Sequence, residues 1–213
     1  MTTHLQKLAK VMLATGLLAG ALLLVTPARA GGLLETGQTT AYEADKNDGI
    51  AGPVAVPDDG TLQRGATLRY KLRGDGTVED RRTGLIWEVK CDTCPGTDLH
   101  HVDQTYLWSG DGTEETIWDW LDDVNAEGGT GYAGHDNWRI PNRRELESLV
   151  DAELFSPAID PIFGPTAAAG YWSSTTLANF PSTAWGVFFT SGSVFAFAKS
   201  GAIHVRAVRG GPN

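Results

Sequence analysis

Cys91 and Cys94 are the only two thiols in the 213 residues, and they stand in a C-x-x-C spacing. Three chemistries use that spacing. A zinc site needs four ligands, and with no second cysteine pair His100 and His101 would have to complete it. A thioredoxin-like redox pair belongs between a strand and a helix, whereas Pro95-Gly96 follows this pair and marks a loop. A disulfide clipping that loop is the expectation adopted. It encloses very few residues, so on chain-entropy grounds it adds little global stability.

The other reactive side chains do not assemble into a recognisable set. Ser173 and Ser174 lack the Gly-x-Ser-x-Gly surround of a nucleophile elbow. The chain also contains no H-E-x-x-H zinc motif, phosphate-cradling glycine loop or dinucleotide fingerprint. An acid pair such as Asp98 and Asp103, or His135 and His204 converging on a cleft, keeps an exported enzyme open as an alternative. The turns Asp58-Asp59-Gly60, Asp75-Gly76 and Asp111-Gly112 offer oxygen ligands for calcium, but none has the spacing of a twelve-residue EF-hand loop.

Seven tryptophans are the other chemically informative feature. Trp87, Trp120 and Trp185 fall on expected core faces. Trp108, Trp118 and Trp172 are not committed by pattern, and an exposed indole beside polar groups is what a neutral-sugar site uses. These three, with His204 and Arg206, are the candidate ligand-binding residues.

The N-terminus limits where this chemistry operates. Lys7 and Lys10 precede an apolar run from Val11 to Val25, and Thr26-Pro27-Ala28-Arg29-Ala30 supplies small residues where a signal peptidase reads. This is the layout of a secretory signal peptide cleaved after Ala30, and the run is too short for a membrane anchor. Loss of Lys7, Lys10 and Arg29 with residues 1–30, which carry no acid, takes the formal charge from −9 to −12. Such a balance repels nucleic acid and anionic lipid. Export to an oxidising compartment, periplasmic, secreted or cell-surface, favours the Cys91–Cys94 disulfide.

The elements that position these residues can be read in outline. Residues 31–65 form an extended arm without helical periodicity, followed by a domain over residues 66–210. Thr67–Leu72, Thr77–Asp80 and Leu85–Val89 are strand-like, separated by turns at Gly74-Asp75-Gly76 and Arg81–Gly84. A first helix is expected to be capped by Thr113, to bury Ile117, Trp120, Leu121 and Val124 at i, i+3, i+4 and i+7, and to end at Gly128-Gly129. Its Asp119, Asp122 and Asp123 are expected on a solvated face. A second helix takes Asn142 as cap with Glu145 as capping-box partner, burying Leu146, Leu149 and Val150, and Asp151 at its end needs a neighbouring donor. Tyr171–Ser174 is a further strand. Thr183–Thr190, Ser193–Lys199 and Ala202–Val208 read as a three-stranded meander with both faces covered.

Four blocks in this order resemble the DUF1566 family. They are Gly74-Asp75-Gly76-Thr77-Val78-x-Asp80-x-x-Thr83-Gly84-Leu85-Ile86-Trp87-Glu88, then Asn137-Trp138-Arg139-Ile140-Pro141-Asn142-x-x-Glu145-Leu146-x-Ser148-Leu149-Val150-Asp151, then Tyr171–Thr176, and finally Val205-Arg206-x-Val208-Arg209-Gly210. The family is similar to the C-terminal domain of the Legionella collagen-like adhesin, which binds sulfated glycosaminoglycans as a trimer. The resemblance implies an α+β, C-type-lectin-like fold: an antiparallel sheet with two helices and long loops. It also implies structural roles for the motif residues. Trp138 and Arg139 anchor the loop before the second helix, Glu145 caps that helix, and Trp172 with Arg206 braces the sheet.

The chain departs from the adhesin in lacking a Gly-x-y stalk and in its acidic charge, which disfavours a sulfated polyanion. Related formylglycine-generating enzymes carry a C-terminal copper-binding cysteine pair, and here no cysteine follows Cys94. The resulting expectation is an exported, non-catalytic, adhesin-like recognition domain for a glycan or protein. A structural envelope component, including a homo-oligomer joined through the arm, stands as the alternative.

Overall fold

The computed structural model describes residues 33–41 and 58–211, so the expected signal peptide and residues 42–57 of the expected arm lie outside the described residues. Residues 33–41 are extended along the domain. Leu34 bridges Ala66, the Ala152 N–H donates to the Thr36 carbonyl at 2.7 Å, and the Glu153 carboxylate accepts the Thr39 and Thr40 amides at 2.8 and 3.1 Å. The arm carries a single helical turn, α1 (Asp59–Leu62). Asp58 caps it by accepting the Thr61 amide at 2.9 Å.

The rest is α+β. In chain order come β1 (Tyr70–Leu72), β2 (Thr77–Asp80), β3 (Leu85–Glu88), β4 (Thr105–Leu107), α2 (Ile117–Ala126), α3 (Arg143–Glu147), β5 (Gly170–Thr176), β6 (Thr183–Phe188), β7 (Ser193–Ala198), β8 (Ala202–His204) and β9 (Val208–Gly210). They build two sheets, one antiparallel in the order β1-β2-β3-β9 and one in the order β4-β8-β5-β6-β7, where only β5 and β8 run parallel.

The first sheet is set by turn chemistry that the sequence displays. Asp75 accepts the Thr77 amide at 3.1 Å, and Asp80 accepts the Arg82 amide at 2.8 Å and the Thr83 hydroxyl at 2.6 Å, so each aspartate organises the turn beside it. Gly76, at φ +85°, must be glycine for a second reason: a Cβ there would lie 2.5 Å from the Tyr132 hydroxyl.

Both helices form, one with a corrected start. The cap of α2 is Thr116, not Thr113; its hydroxyl accepts the Trp118 and Asp119 amides while Asp119 returns the bond to the Thr116 amide at 2.9 Å. Asp119 therefore completes a capping box instead of merely facing water, and Thr113 is spent on Asp111, donating to it at 2.7 Å. Ile117, Trp120 and Val124 are buried, and Leu121 is half-buried. The cap of α3 is Asn142 with Glu145, as expected. The Asp151 carboxylate finds its donor in the Glu153 amide at 3.0 Å.

The expected meander holds for β6 and β7 and breaks at its third strand. The segment Ala202–Val208 divides between the two sheets: β8 pairs with β4 and β9 pairs with β3. Between them Ala207 gives its N–H to the Glu88 carboxylate at 2.7 Å, so a buried acid stands where a ladder partner would. The second correction concerns coverage. β7 is the edge of its sheet, and Phe195 on it is 54% exposed, so that end of the sheet is not covered on both faces.

Two apolar cores result. One gathers Val78, Trp87, Leu146, Leu149, Phe163, Tyr171 and Phe189; the other gathers Tyr106, Ile117, Trp120, Trp138, Trp172 and Val205. The alternation of Tyr171 and Trp172 along β5 sends one ring into each core. Phe197 reaches Trp172 edge-on at 5.8 Å because Gly170 and Gly186 leave room, a Cβ on either lying 2.9 Å from its ring.

The loop before α3 depends on one carboxylate. Glu145 binds Arg139 in a two-pronged pair at 2.7 Å for each bond and also accepts the Asn142 amide at 2.8 Å, while Arg139 reaches the Gly210 carbonyl at 3.2 Å. Replacing Glu145 by Ala should cost roughly 1–2 kcal/mol, more than Asn142→Ala at about 1 kcal/mol. Thermal melts of the two variants check this order, and equal losses would show that the Arg139 pair contributes nothing.

Candidate functional site

The most concentrated polar chemistry is buried where the sheets meet. Glu88, the last residue of β3, is wholly buried, and one of its oxygens accepts Lys90 Nζ and meets His100 Nδ1, each at 2.7 Å; the other accepts the Ala207 amide. His100 stacks on Tyr132 at 3.8 Å and places Nε2 3.1 Å from Glu127, which follows α2 and reaches solvent. Lys90 lies 4.9 Å from the Trp120 ring centre. Arg206 donates to the Glu88 carbonyl at 2.7 Å, the Phe163 carbonyl at 2.8 Å and Thr166 Oγ1 at 2.8 Å.

These contacts set the protonation states. Burial alone would raise the Glu88 carboxyl, but Lys90 and His100 outweigh it and hold it down at about 2. Burial would likewise lower His100, and the bonds to Glu88 and Glu127 overturn that and raise it. For Lys90 burial prevails and the ammonium is held below its ordinary range. A buried ion group matched in this way is costly to break, about 3–5 kcal/mol when one partner is removed. Its chemistry is to hold β3, the Lys90–His100 loop and the β8–β9 connection together. Sequence reasoning missed it, although an acid closing the apolar run Leu85-Ile86-Trp87 is the signal of a buried charge that needs partners.

The cysteines form the expected disulfide, Cys91–Cys94. The mixed zinc alternative loses its ligands, because both sulfurs are bonded to each other and both His100 ring nitrogens face carboxylates. Among the described residues, the cluster of metal-type side chains consists of those two cysteines and Asp98.

The candidate ligand residues separate sharply by burial. Trp172 is wholly buried and donates its indole N–H to the Tyr106 carbonyl at 2.9 Å, and Arg206 is wholly buried in the bonds above. Both brace the sheets, the role implied by the family resemblance, and neither has a face to offer a ligand. His204 stacks on Tyr171 at 5.2 Å with a buried, unpartnered Nδ1, and burial lowers its pKa. Of the expected structural residues, Trp87 and Trp138 are buried; Trp138 is gripped by Asn125, which both donates to and accepts from its backbone at 3.0 and 2.8 Å. Trp185 is only half-buried, with Arg143 across its ring at 5.1 Å.

Trp108 and Trp118 do come together. Their rings stand at 90° with centres 5.1 Å apart, and Trp118 is 38% exposed. Trp108 is fixed by its own donation to the Ser173 carbonyl at 3.0 Å and by Lys199 Nζ, 3.6 Å above its ring; Lys199 in turn donates to Thr176 Oγ1 at 2.9 Å. This is a rigid aromatic ledge at the end of the second sheet, with a cation and a hydroxyl beside it.

The protein is thus a two-sheet α+β domain joined by a buried ion group. The family model of the Lcl C-terminal domain matches residues 76–209, and the chain belongs to that family. No curated protein matches the sequence. Among the described residues no helix is long and apolar enough to cross a membrane.

The ion group predicts a pH profile. The folded Glu88 pKa lies below its ordinary 4.5, so the stability it contributes is present above about 4.5 and lost as pH falls through about 2. The folded His100 pKa lies above its ordinary 6.5, so its contribution is present below 6.5 and lost as pH rises through the folded value. The group therefore stabilises most between those two ordinary values. His100→Gln should remove the alkaline decline, so that the melting-temperature gap to the unchanged protein narrows from about pH 6 to about pH 8. A constant gap would contradict the assignment.

Proposed function

We propose that this protein is an exported, adhesin-like recognition domain that holds a glycan or protein ligand on the Trp108–Trp118 ledge. The carrying observation is the exposed Trp118 ring, fixed edge-on against Trp108, which is itself clamped by Ser173 and Lys199. A pre-ordered aromatic face binds sugar C–H surface or an apolar side chain at little entropic cost. Family membership supports adhesion, and the proposed fold relation is to C-type-lectin-like domains. The net acidic charge favours a neutral glycan over a sulfated one. Export rests on the N-terminal charge, apolar run and small-residue cleavage pattern. In this reading the mature chain keeps no membrane anchor and has no nucleic-acid partner.

The second reading, assembly into an envelope structure, has one observation of its own. β7, with Phe195 exposed, ends its sheet with no strand beyond it among the described residues. The arm argues less for assembly, since residues 33–41 bond within their own chain.

A glycan array and a pull-down from native envelope test the first reading. Trp118→Ala should reduce ligand retention at least about tenfold, the loss typical of an aromatic anchor, with an unchanged melting temperature. Retention equal to that of the unchanged protein would overturn it, as would silence in both assays together with turnover in an activity screen. Light scattering over a concentration series tests the second reading, and a monomer throughout counts against it.

A further inference from the structure

A different surface carries a second site. Between β4 and α2 lies a cavity of about 300 Å³, lined by Leu99, Gln104, Tyr106, Glu115, Trp120 and Asp123. Its walls are of two kinds. Trp120 and Tyr106 pack together with ring centres 5.9 Å apart and form an aromatic floor. Glu115, just before the α2 cap, and Asp123, two turns along that helix, bring carboxylates to the same opening. Among the described residues neither carboxylate has an ion-pair partner.

The tyrosine is what distinguishes this place from an ordinary acidic surface. Tyr106 is only 6% exposed and lines the cavity, yet its hydroxyl makes no hydrogen bond with any described residue; its backbone carbonyl, by contrast, is taken by Trp172. That hydroxyl opens on the cavity and is not sealed from it, so its bonds are left for whatever the cavity holds. Burial first, and then Glu115, Glu88 and Asp123, push this hydroxyl up to about 12, so it stays neutral and can accept an N–H.

We propose that this cavity is a binding site for an alkylammonium group, such as that of a diamine or a lysine side chain, with Glu115 and Asp123 neutralising the charge, the Tyr106 hydroxyl accepting one N–H, and Trp120 packing against the methylene stem. The aromatic floor and the lack of a third ligand favour an organic cation over a metal ion, since the metal-type cluster among the described residues lies at Cys91, Cys94 and Asp98. Lys90, 4.9 Å from the Trp120 ring centre, is matched by Glu88 at 2.7 Å and so does not take the acids' charge.

Calorimetric titration of the full chain at low ionic strength, with 1,5-diaminopentane and with Nα-acetyl-lysine methylamide, tests this, with 1-pentanol as the uncharged control. The expected result is saturable binding of at least one ammonium compound and none of pentanol. Glu115→Gln and Asp123→Asn should each weaken binding by up to about fivefold, the range of an exposed ion pair, and about 0.15 M salt should weaken it further. Both positions are exposed, so the variants keep the fold, and Tyr106→Phe should weaken binding without lowering the melting temperature. Binding of the diamine alone identifies a free cation as the ligand, and binding of the lysine derivative alone identifies a side chain. The proposal is overturned if neither compound saturates, or if the carboxylate variants bind like the unchanged protein. Because Trp118 is not among the lining residues, Trp118→Ala leaves this result untouched, and the two sites stand or fall separately.

Discussion

The fold turns on a single carboxylate. Glu88 is wholly buried at the end of β3, and its two oxygens are claimed by Lys90, His100 and the Ala207 amide. Each partner belongs to a different part of the chain: the residue leaving the strand, the disulfide loop, and the connection between β8 and β9. Moving a carboxylate out of water costs several kcal/mol, and only a full set of partners offsets that. The requirement is reciprocal. The loop from Lys90 to His100 has little regular structure, so satisfying Glu88 is what gives its conformation a reason, and the same demand interrupts the last strand, where Ala207 would otherwise seek a ladder partner.

Arg206 extends this constraint to the backbone. Its guanidinium takes the carbonyls of Glu88 and Phe163 and the Thr166 hydroxyl, groups that come from the first sheet and from the loop leading to β5. A buried arginine that donates to carbonyls instead of to a carboxylate leaves Glu88 free for Lys90 and His100. One positive and one negative side chain thus lie side by side with separate clienteles, and the sheets are joined by bonds that no hydrophobic pattern announces.

What was legible in the sequence follows the range of the interaction responsible. Asn142 with Glu145, and Asp80 with Thr83, act within three residues, and the bonds found are those their spacing implies. The start of α2 was misplaced although the local rule was sufficient: Thr116 has Asp119 three residues on, whereas Thr113 has Thr116 there and cannot form a box. β8 is another matter. Its partner is β4, almost a hundred residues earlier in the chain, and the alternation in Ala202–Val208 carries no mark of a strand divided between two sheets. At the candidate site, pattern grouped Trp108, Trp118 and Trp172 alike, because the period of a strand or helix says which face a residue takes and not whether another layer covers that face.

The tryptophans show how the irregular parts are held, and why one of them is left over. Trp120 donates its indole N–H to the Leu99 carbonyl, Trp138 to Tyr132, Trp172 to Tyr106 and Trp108 to Ser173, three of them across more than twenty residues of chain. Each ring buries a large apolar area while its N–H satisfies a backbone acceptor. These side chains substitute for secondary structure across the long segment between β3 and α2, so their exposure is low as a consequence of their work. Trp87, Trp118 and Trp185 make no such bond, but Trp87 is wholly buried and Trp185 half-buried, whereas Trp118 is exposed. Its position on α2 follows from the helix period, two residues before the buried Trp120, so the core does not require an aromatic there. An exposed indole that costs solubility and supports no neighbouring carbonyl is a residue the fold does not call for, and the proposed recognition role would account for it.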